Sequence, residues 1–138
     1  MLYIEQHPKG SKLIFENHTT ITEKPPISII KLLCQEVLVS YEARTMLTKK
    51  RFKINTIVPI YINSTLIFIP TASPRNYETK WINYQKIASI QKYGKHTIVL
   101  FTNLTEIEIE MSYTRFKEKM KYCKIIYDYM ENVQSQIL

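Results

Sequence analysis

Glycine is scarce in this chain. Only two occur in 138 residues, Gly10 and Gly94, too few to build the loops in which backbone amides close around a phosphate. No Walker-type loop, G-x-G-x-x-G turn or G-x-S-x-G elbow is present. Aspartate is scarcer still. Asp128 stands alone, in the last segment beside Lys124, and the glutamates are scattered, with no pair singled out for general acid–base work. The histidines, His7, His18 and His96, lie far apart, and neither cysteine has a partner at metal-ligand spacing, which argues against a zinc site. These absences point away from an enzyme, a metal centre and a bound cofactor.

Cys34 and Cys123 fall in segments that read as helices, so buried free thiols are expected rather than a disulfide. Apolar runs are short. Leu66 to Ile69 cannot span a bilayer, and the first residues carry no basic region followed by an apolar one. A cytoplasmic protein with no membrane partner is the expectation.

What is abundant is positive charge. Nineteen Lys and Arg against twelve Asp and Glu give a formal net charge of +7 and a pI of 9.4, which favours polyanions, nucleic acid first and an anionic membrane surface second. The length fits one domain, 1–138, able to bury a core without metals or disulfides.

Short β-like patches at Leu2 to Ile4, Lys12 to Glu16 and Thr19 to Thr22 predict an N-terminal strand or hairpin. Pro25 and Pro26 punctuate the chain, and Ser28 is placed to cap a helix. Apolar residues at Ile30, Leu33, Cys34, Val37 and Tyr41 follow helical spacing. A break near Val39 and Ser40, with Ser40 recapping, allows one helix or two over residues 28–52. This region ends in Lys49, Lys50, Arg51 and Lys53, cations that suit either a helix C-terminus or phosphate contacts.

Ile54 to Asn63 is β-like, with Pro59 marking an edge or bulge. Leu66 to Ile69 reads as a strand buried on both faces and stopped by Pro70. A polar loop, mobile in composition, runs from Thr71 to Lys80 and carries Arg75; it closes on Trp81, the only tryptophan. Strand pieces follow at Trp81 to Asn83, Lys86 to Gln91 and Thr97 to Thr102, with a turn at Tyr93 to Lys95 and a poorer one at Asn103 and Leu104. From Thr105 to Met111 alternation puts Ile107, Ile109 and Met111 on one face and Glu106, Glu108 and Glu110 on the other. That acidic face would repel phosphates, so a DNA surface is expected elsewhere unless lysines on a neighbouring strand neutralise it. Ser112 then caps an amphipathic helix near 112–134, with a buried seam through Phe116, Met120, Cys123, Tyr127 and Met130 and a lysine flank at Lys117, Lys121 and Lys124. The fold class is therefore α+β: a mostly antiparallel sheet or half-barrel, on the general plan of PH-like modules, closed by a C-terminal helix. By that analogy alone, a non-enzymatic module binding protein or anionic lipid is the alternative function.

An ordered set of segments resembles the competence transcription factor ComK family. The set comprises I-K-L-L-C from Ile30, S-Y-E-A-R at Ser40 to Arg44, Lys53 and Ile54, and Pro59 and Ile60. It continues through I-F-I-P-T at Ile67 to Thr71, the Arg75 loop, Trp81 and Ile82, and S-Y-x-x-F at Ser112 to Phe116. No single piece is specific, but the order is, over about two-thirds of the chain. The resemblance implies a sequence-specific DNA-binding activator of DNA-uptake genes, binding cooperatively as more than one subunit to A/T-tract boxes, largely through the minor groove. Narrow A-tract grooves attract inserted arginine, which makes Arg75 and Arg44 the candidate readers. Lys49, Lys50, Arg51, Lys53 and Lys80 are the candidate phosphate contacts. The chain departs from the family pattern where many members have glycine, at Leu38 and Ala43, where they have two prolines, at Val58 and Pro59, and where they have Asn-Gly, at Asn103 and Leu104. Longer members continue past the position of Leu138, so the chain reads as a short, divergent paralogue; functions of that tail, including contact with a proteolytic adaptor, are the part the resemblance leaves open.

Overall fold

The computed structural model describes the backbone of residues 1–137 and the side chains of residues 1–133. The N-terminal patches form a meander of three strands, β1 (Tyr3–His7), β2 (Gly10–Ile14) and β3 (Thr19–Thr22). Gly10 is obligatory in the turn, because a Cβ there would collide with the carbonyl oxygen of Thr22 and the backbone of Glu23. Two helices follow, α1 (Pro26–Glu36) and α2 (Tyr41–Phe52).

The chain then forms β4 (Ile60–Asn63), β5 (Leu66–Pro70), β6 (Trp81–Asn83) and a 3-10 turn (Tyr84–Lys86). It ends with β7 (Ile87–Tyr93), β8 (His96–Phe101), β9 (Glu106–Ile109) and α3 (Tyr113–Ile137). All pairings are antiparallel, in a six-stranded sheet of order β3-β2-β1-β6-β5-β4 and a three-stranded sheet β7-β8-β9. The α+β expectation holds, with no closed barrel.

Period-two alternation divides the six-stranded sheet between two cores. Trp81, Phe68, Ile60 and Ile62 point to the face covered by α1, where they meet Ile29, Ile30 and Cys34. Ile82, Ile67, Ile69 and Tyr61 point to the other face, against Val99 and Phe101 of the small sheet and Phe116, Cys123 and Ile126 of α3. Both cysteines are buried and free, one in each core. The seam expected along α3 is the one that packs. Each buried side chain of Leu, Ile or Phe size stabilises by about 1.5–3 kcal/mol relative to exposure, so both faces of the large sheet contribute.

Four local expectations are corrected. Ser28 does not cap α1: the helix starts earlier, with Pro26 in the first turn and the Pro25 carbonyl accepting from the Ser28 and Ile29 amides at 2.9 and 3.2 Å, as suits a proline whose missing N–H costs nothing at that position. The strand expected from Ile54 shrinks to Ile60–Asn63. Lys53 and Ile57 are left-handed, at φ 55° and 52°. The buried Lys119 ammonium donates to the Thr56 carbonyl at 2.7 Å, holding the intervening backbone out of any ladder. Pro70 is the last paired residue of β5, opposite Trp81, rather than its terminator. β7 runs on to Tyr93, two residues past the expected Gln91.

The break between the first two helices is where it was expected. Ser40 Oγ accepts from the Ala43 amide at 3.1 Å and caps α2. Pro59 precedes an edge strand with a bulge between Tyr61 and Asn63.

Asn83 is fully buried and joins the centre of the sheet. Its Oδ1 accepts from the Ile67 and Gln85 amides, both at 3.2 Å, and its Nδ2 donates to the carbonyls of Met1 at 2.9 Å and Thr65 at 3.1 Å. Asn83→Ala strands these backbone groups and is expected to cost about 3 kcal/mol or more, measured by urea unfolding. Leu38 lies at φ 61° and is 96% exposed, where the family resemblance implies glycine. The left-handed turn costs a leucine about 1–2 kcal/mol, only part of which glycine returns through a freer unfolded chain. Leu38→Gly should therefore raise stability by about 0.5–1 kcal/mol, read in the same unfolding experiment.

Candidate nucleic-acid interface

Arg75 sits on the loop that leaves β5 and returns as β6. Its composition predicts mobility, but the loop is stapled. The Thr71 amide donates to the Lys80 carbonyl and the Lys80 amide to Thr71 Oγ1, both at 2.9 Å, closing the base. Inside, the Ser73 carbonyl accepts from the Asn76 amide at 2.9 Å and from Thr79 Oγ1 at 2.6 Å, while Asn76 Oδ1 accepts from the Glu78 amide at 2.9 Å. Asn and Ser side chains that bond the backbone two residues on are what make such a turn rigid. Thr79 is buried beneath it, and Arg75, exposed at the tip, forms no ion pair among the described residues.

A cleft of about 640 Å³ lies on one side of the loop, between Arg75 and the starts of α1 and α2. Trp81 and Tyr41 meet there edge to face at 6.4 Å, and Lys31 lines it, paired with Glu42 at 3.2 Å. On the other side a polar pocket of about 390 Å³ separates the loop from the end of β9 and the first turn of α3. Lys80, Lys95 and Arg115 converge on it, together with Glu78 and Glu110. Lys80 is paired with Glu5 at 3.9 Å, whereas Lys95 and Arg115 are in no ion pair among the described residues. The start of a long helix adds partial positive charge. Lys95 and Arg115 were not among the sequence candidates, because only tertiary packing brings a hairpin tip and a helix start beside the loop.

The cations of α2 divide by helical face. Arg44 and Arg51, two turns apart, face α3: the Arg44 guanidinium carbon lies 5.7 Å from the Tyr61 ring centre, that of Arg51 4.9 Å from Tyr129, and Arg44 Nη1 is 4.0 Å from Met130 Sδ. Burial, then the hydrogen bond to Glu131 at 2.9 Å, pushes the Tyr61 phenol up to about 12, so it stays a neutral donor beside Arg44. Lys49, Lys50 and Lys53 project to solvent without ion-pair partners among the described residues. Lys53 is the left-handed C-cap, its amide donating to the Lys49 carbonyl.

The structure does not bring Arg75 and the lysine group together. Tyr41, at one end of α2, touches Trp81 at the base of the loop, and the lysines occupy the other end. Eight to twelve residues separate Tyr41 from Lys49, Lys50 and Lys53, about 12–18 Å along the helix axis. The acidic β9 face, Glu106, Glu108 and Glu110, is exposed as expected, with Glu108 held by His96 Nδ1 at 2.6 Å.

Thr79→Val removes the hydroxyl that ties the two arms of the loop while keeping its shape. Faster amide exchange confined to residues 71–80, with global stability lowered by only about 1 kcal/mol, is the expected result.

A family model described as ComK protein matches residues 2–135. No curated protein and no solved structure matches the chain. No helix among the described residues is long and apolar enough to cross a membrane. With the family segments of the sequence now placed on the sheet, the loop and the helix caps, and the match running over nearly the whole chain, the protein belongs to the ComK family, a family of competence transcription regulators and not of enzymes.

Proposed function

We propose that this protein is a cytoplasmic DNA-binding activator of competence genes that works as a single domain, without a cofactor, and reads A/T-tract boxes through the minor groove. The observation that carries this reading is Arg75, in no ion pair among the described residues and held at the tip of a loop made rigid by its own hydrogen bonds. A guanidinium held out on a stiff support loses little entropy on insertion, and a narrow A-tract groove supplies the potential that attracts it. Lys95 and Arg115 on one side of the loop, with Lys80, offset Glu78 and Glu110 in the same pocket and contact the phosphates flanking that groove. The lysines at the far end of α2, about 12–18 Å along the helix from Tyr41, contact the duplex backbone farther from the loop. Arg44, packed on Tyr61, supports α2 against α3 more readily than it reaches a base. Cooperative binding of more than one subunit accords with paired boxes.

Salt-titrated binding to an A/T-box duplex and to a scrambled one tests the reading. Preference for the A/T box should persist as salt rises, on top of a steep common salt dependence. Arg75→Ala should relax the preference by about 1–3 kcal/mol, whereas Lys50→Ala should weaken both duplexes alike and flatten the salt slope by about one unit. Equal affinity for the two duplexes at every ionic strength would rule out specific reading, and sedimentation with anionic vesicles in the absence of duplex binding would assign the basic surface to lipid.

A further inference from the structure

The face of α2 turned away from its lysines borders a groove against α3. Its floor is apolar, built from Leu47, Phe52, Ile126 and Met130, with a volume of about 370 Å³. Leu47 is 57% exposed at its lip. Val39 lines the end of the groove, and Leu38, the residue before it in the turn between α1 and α2, is exposed. Contiguous exposed apolar surface of this kind marks an interaction site.

Two guanidinium groups flank this floor. Arg44 and Arg51 are fixed by the Tyr61 and Tyr129 rings, and neither meets a carboxylate within ion-pair distance among the described residues. The carboxylate bonded to Tyr61, that of Glu131, is engaged by its phenol. Seven residues along a helix place the two arginines roughly 10 Å apart, with Leu47 and Thr48 between them. A helical ligand with carboxylates at i and i+7 and apolar side chains at i+3 and i+4 has the same spacing and the opposite charge.

We infer that the α2–α3 groove is a docking site for an acidic amphipathic helix of a partner protein, its apolar residues seated on Leu47 and Met130 and its carboxylates paired with Arg44 and Arg51. Charge complementarity selects this occupant. A second copy of this chain, with a net charge of +7, would set arginine against arginine across a two-fold contact, and duplex DNA offers no apolar surface to fill the floor. Arginine forks bind carboxylates in paired hydrogen bonds, and the rings already hold both forks, so little ordering remains when the partner arrives. The site uses the opposite face of α2 from Lys49, Lys50 and Lys53, so protein and DNA can occupy the helix together.

The test uses the full chain and two fluorescent, hydrocarbon-stapled synthetic helices, alike except that one carries glutamates at i and i+7 and the other lysines, both with leucines at i+3 and i+4. Fluorescence anisotropy should show the glutamate helix binding at least about tenfold more tightly than the lysine helix. Leu47→Asp should abolish most of that binding with unchanged thermal unfolding, and Leu47→Ser serves if the aspartate variant does not fold. Arg51→Glu should abolish the preference between the two helices, and Arg44→Glu combined with Arg51→Glu should reverse it. Equal binding of both helices, or binding of neither, overturns the proposal. So does displacement of the glutamate helix by duplex, which assigns the groove to DNA, or loss of self-association in Leu47→Asp on sedimentation, which assigns it to a second copy.

Discussion

The six-stranded sheet is continuous only because β6 lies between β1 and β5, and β6 is three residues long. It succeeds because every side chain in it is buried and each has a different partner. Trp81 fills the core under α1, Ile82 the core under α3, and Asn83 saturates backbone groups that a short strand would otherwise leave bare. A buried amide is a liability when half satisfied and a strong constraint when fully bonded. Its bonds reach Met1, Thr65, Ile67 and Gln85, tying the first residues of the chain to its middle.

That constraint also positions the Arg75 loop. Thr71 to Lys80 springs from the ends of β5 and β6, and its closing bonds extend the ladder between them by one further pair. Trp81 holds the loop's return arm in the core and meets Tyr41 at the start of α2, so the loop and α2 are referenced to one side chain. The basic character of the chain is consequently sorted into separate surfaces. Arg75 with Lys95 and Arg115 surrounds the loop, Lys49, Lys50 and Lys53 occupy the far end of α2, and Arg44 and Arg51 pack on the tyrosine rings of β4 and α3. Polyanion binding needs cations on an open face, whereas guanidinium groups stacked on rings serve packing and carboxylate recognition.

Strong periodicity was legible. The seam of α3, the alternation of β9 and the Ser40 and Ser112 caps could be read because each is a local pattern with a local cause. Where the physical cause is distant, reading by pattern falls short. The β-like stretch before Pro59 looks like strand, yet its carbonyl at Thr56 is claimed by Lys119, more than sixty residues away in sequence, and Ile57 is forced to positive φ. The polar loop looks mobile, yet Thr79 turns its hydroxyl inward and binds its own backbone. Leu38 and Leu104, which replace the expected glycines, both keep left-handed backbones, at φ 61° and 71°. The turn geometry is retained with a residue that suits it less well, because the helix end and the hairpin around each turn leave no alternative path.

The amino-acid sequence alone determined the α+β class, the basic charge, the Ser40 and Ser112 caps and the family, since composition, period and an ordered set of short segments survive without knowledge of contacts. Only the tertiary structure decided which cations stand free in solvent and which pack on a ring. Lys49, Lys50 and Arg51 are adjacent and chemically alike in sequence, but each residue of a helix is rotated by about 100° from the last. Whether a given one meets solvent or the Tyr129 ring depends on α3, a helix that begins only at Tyr113.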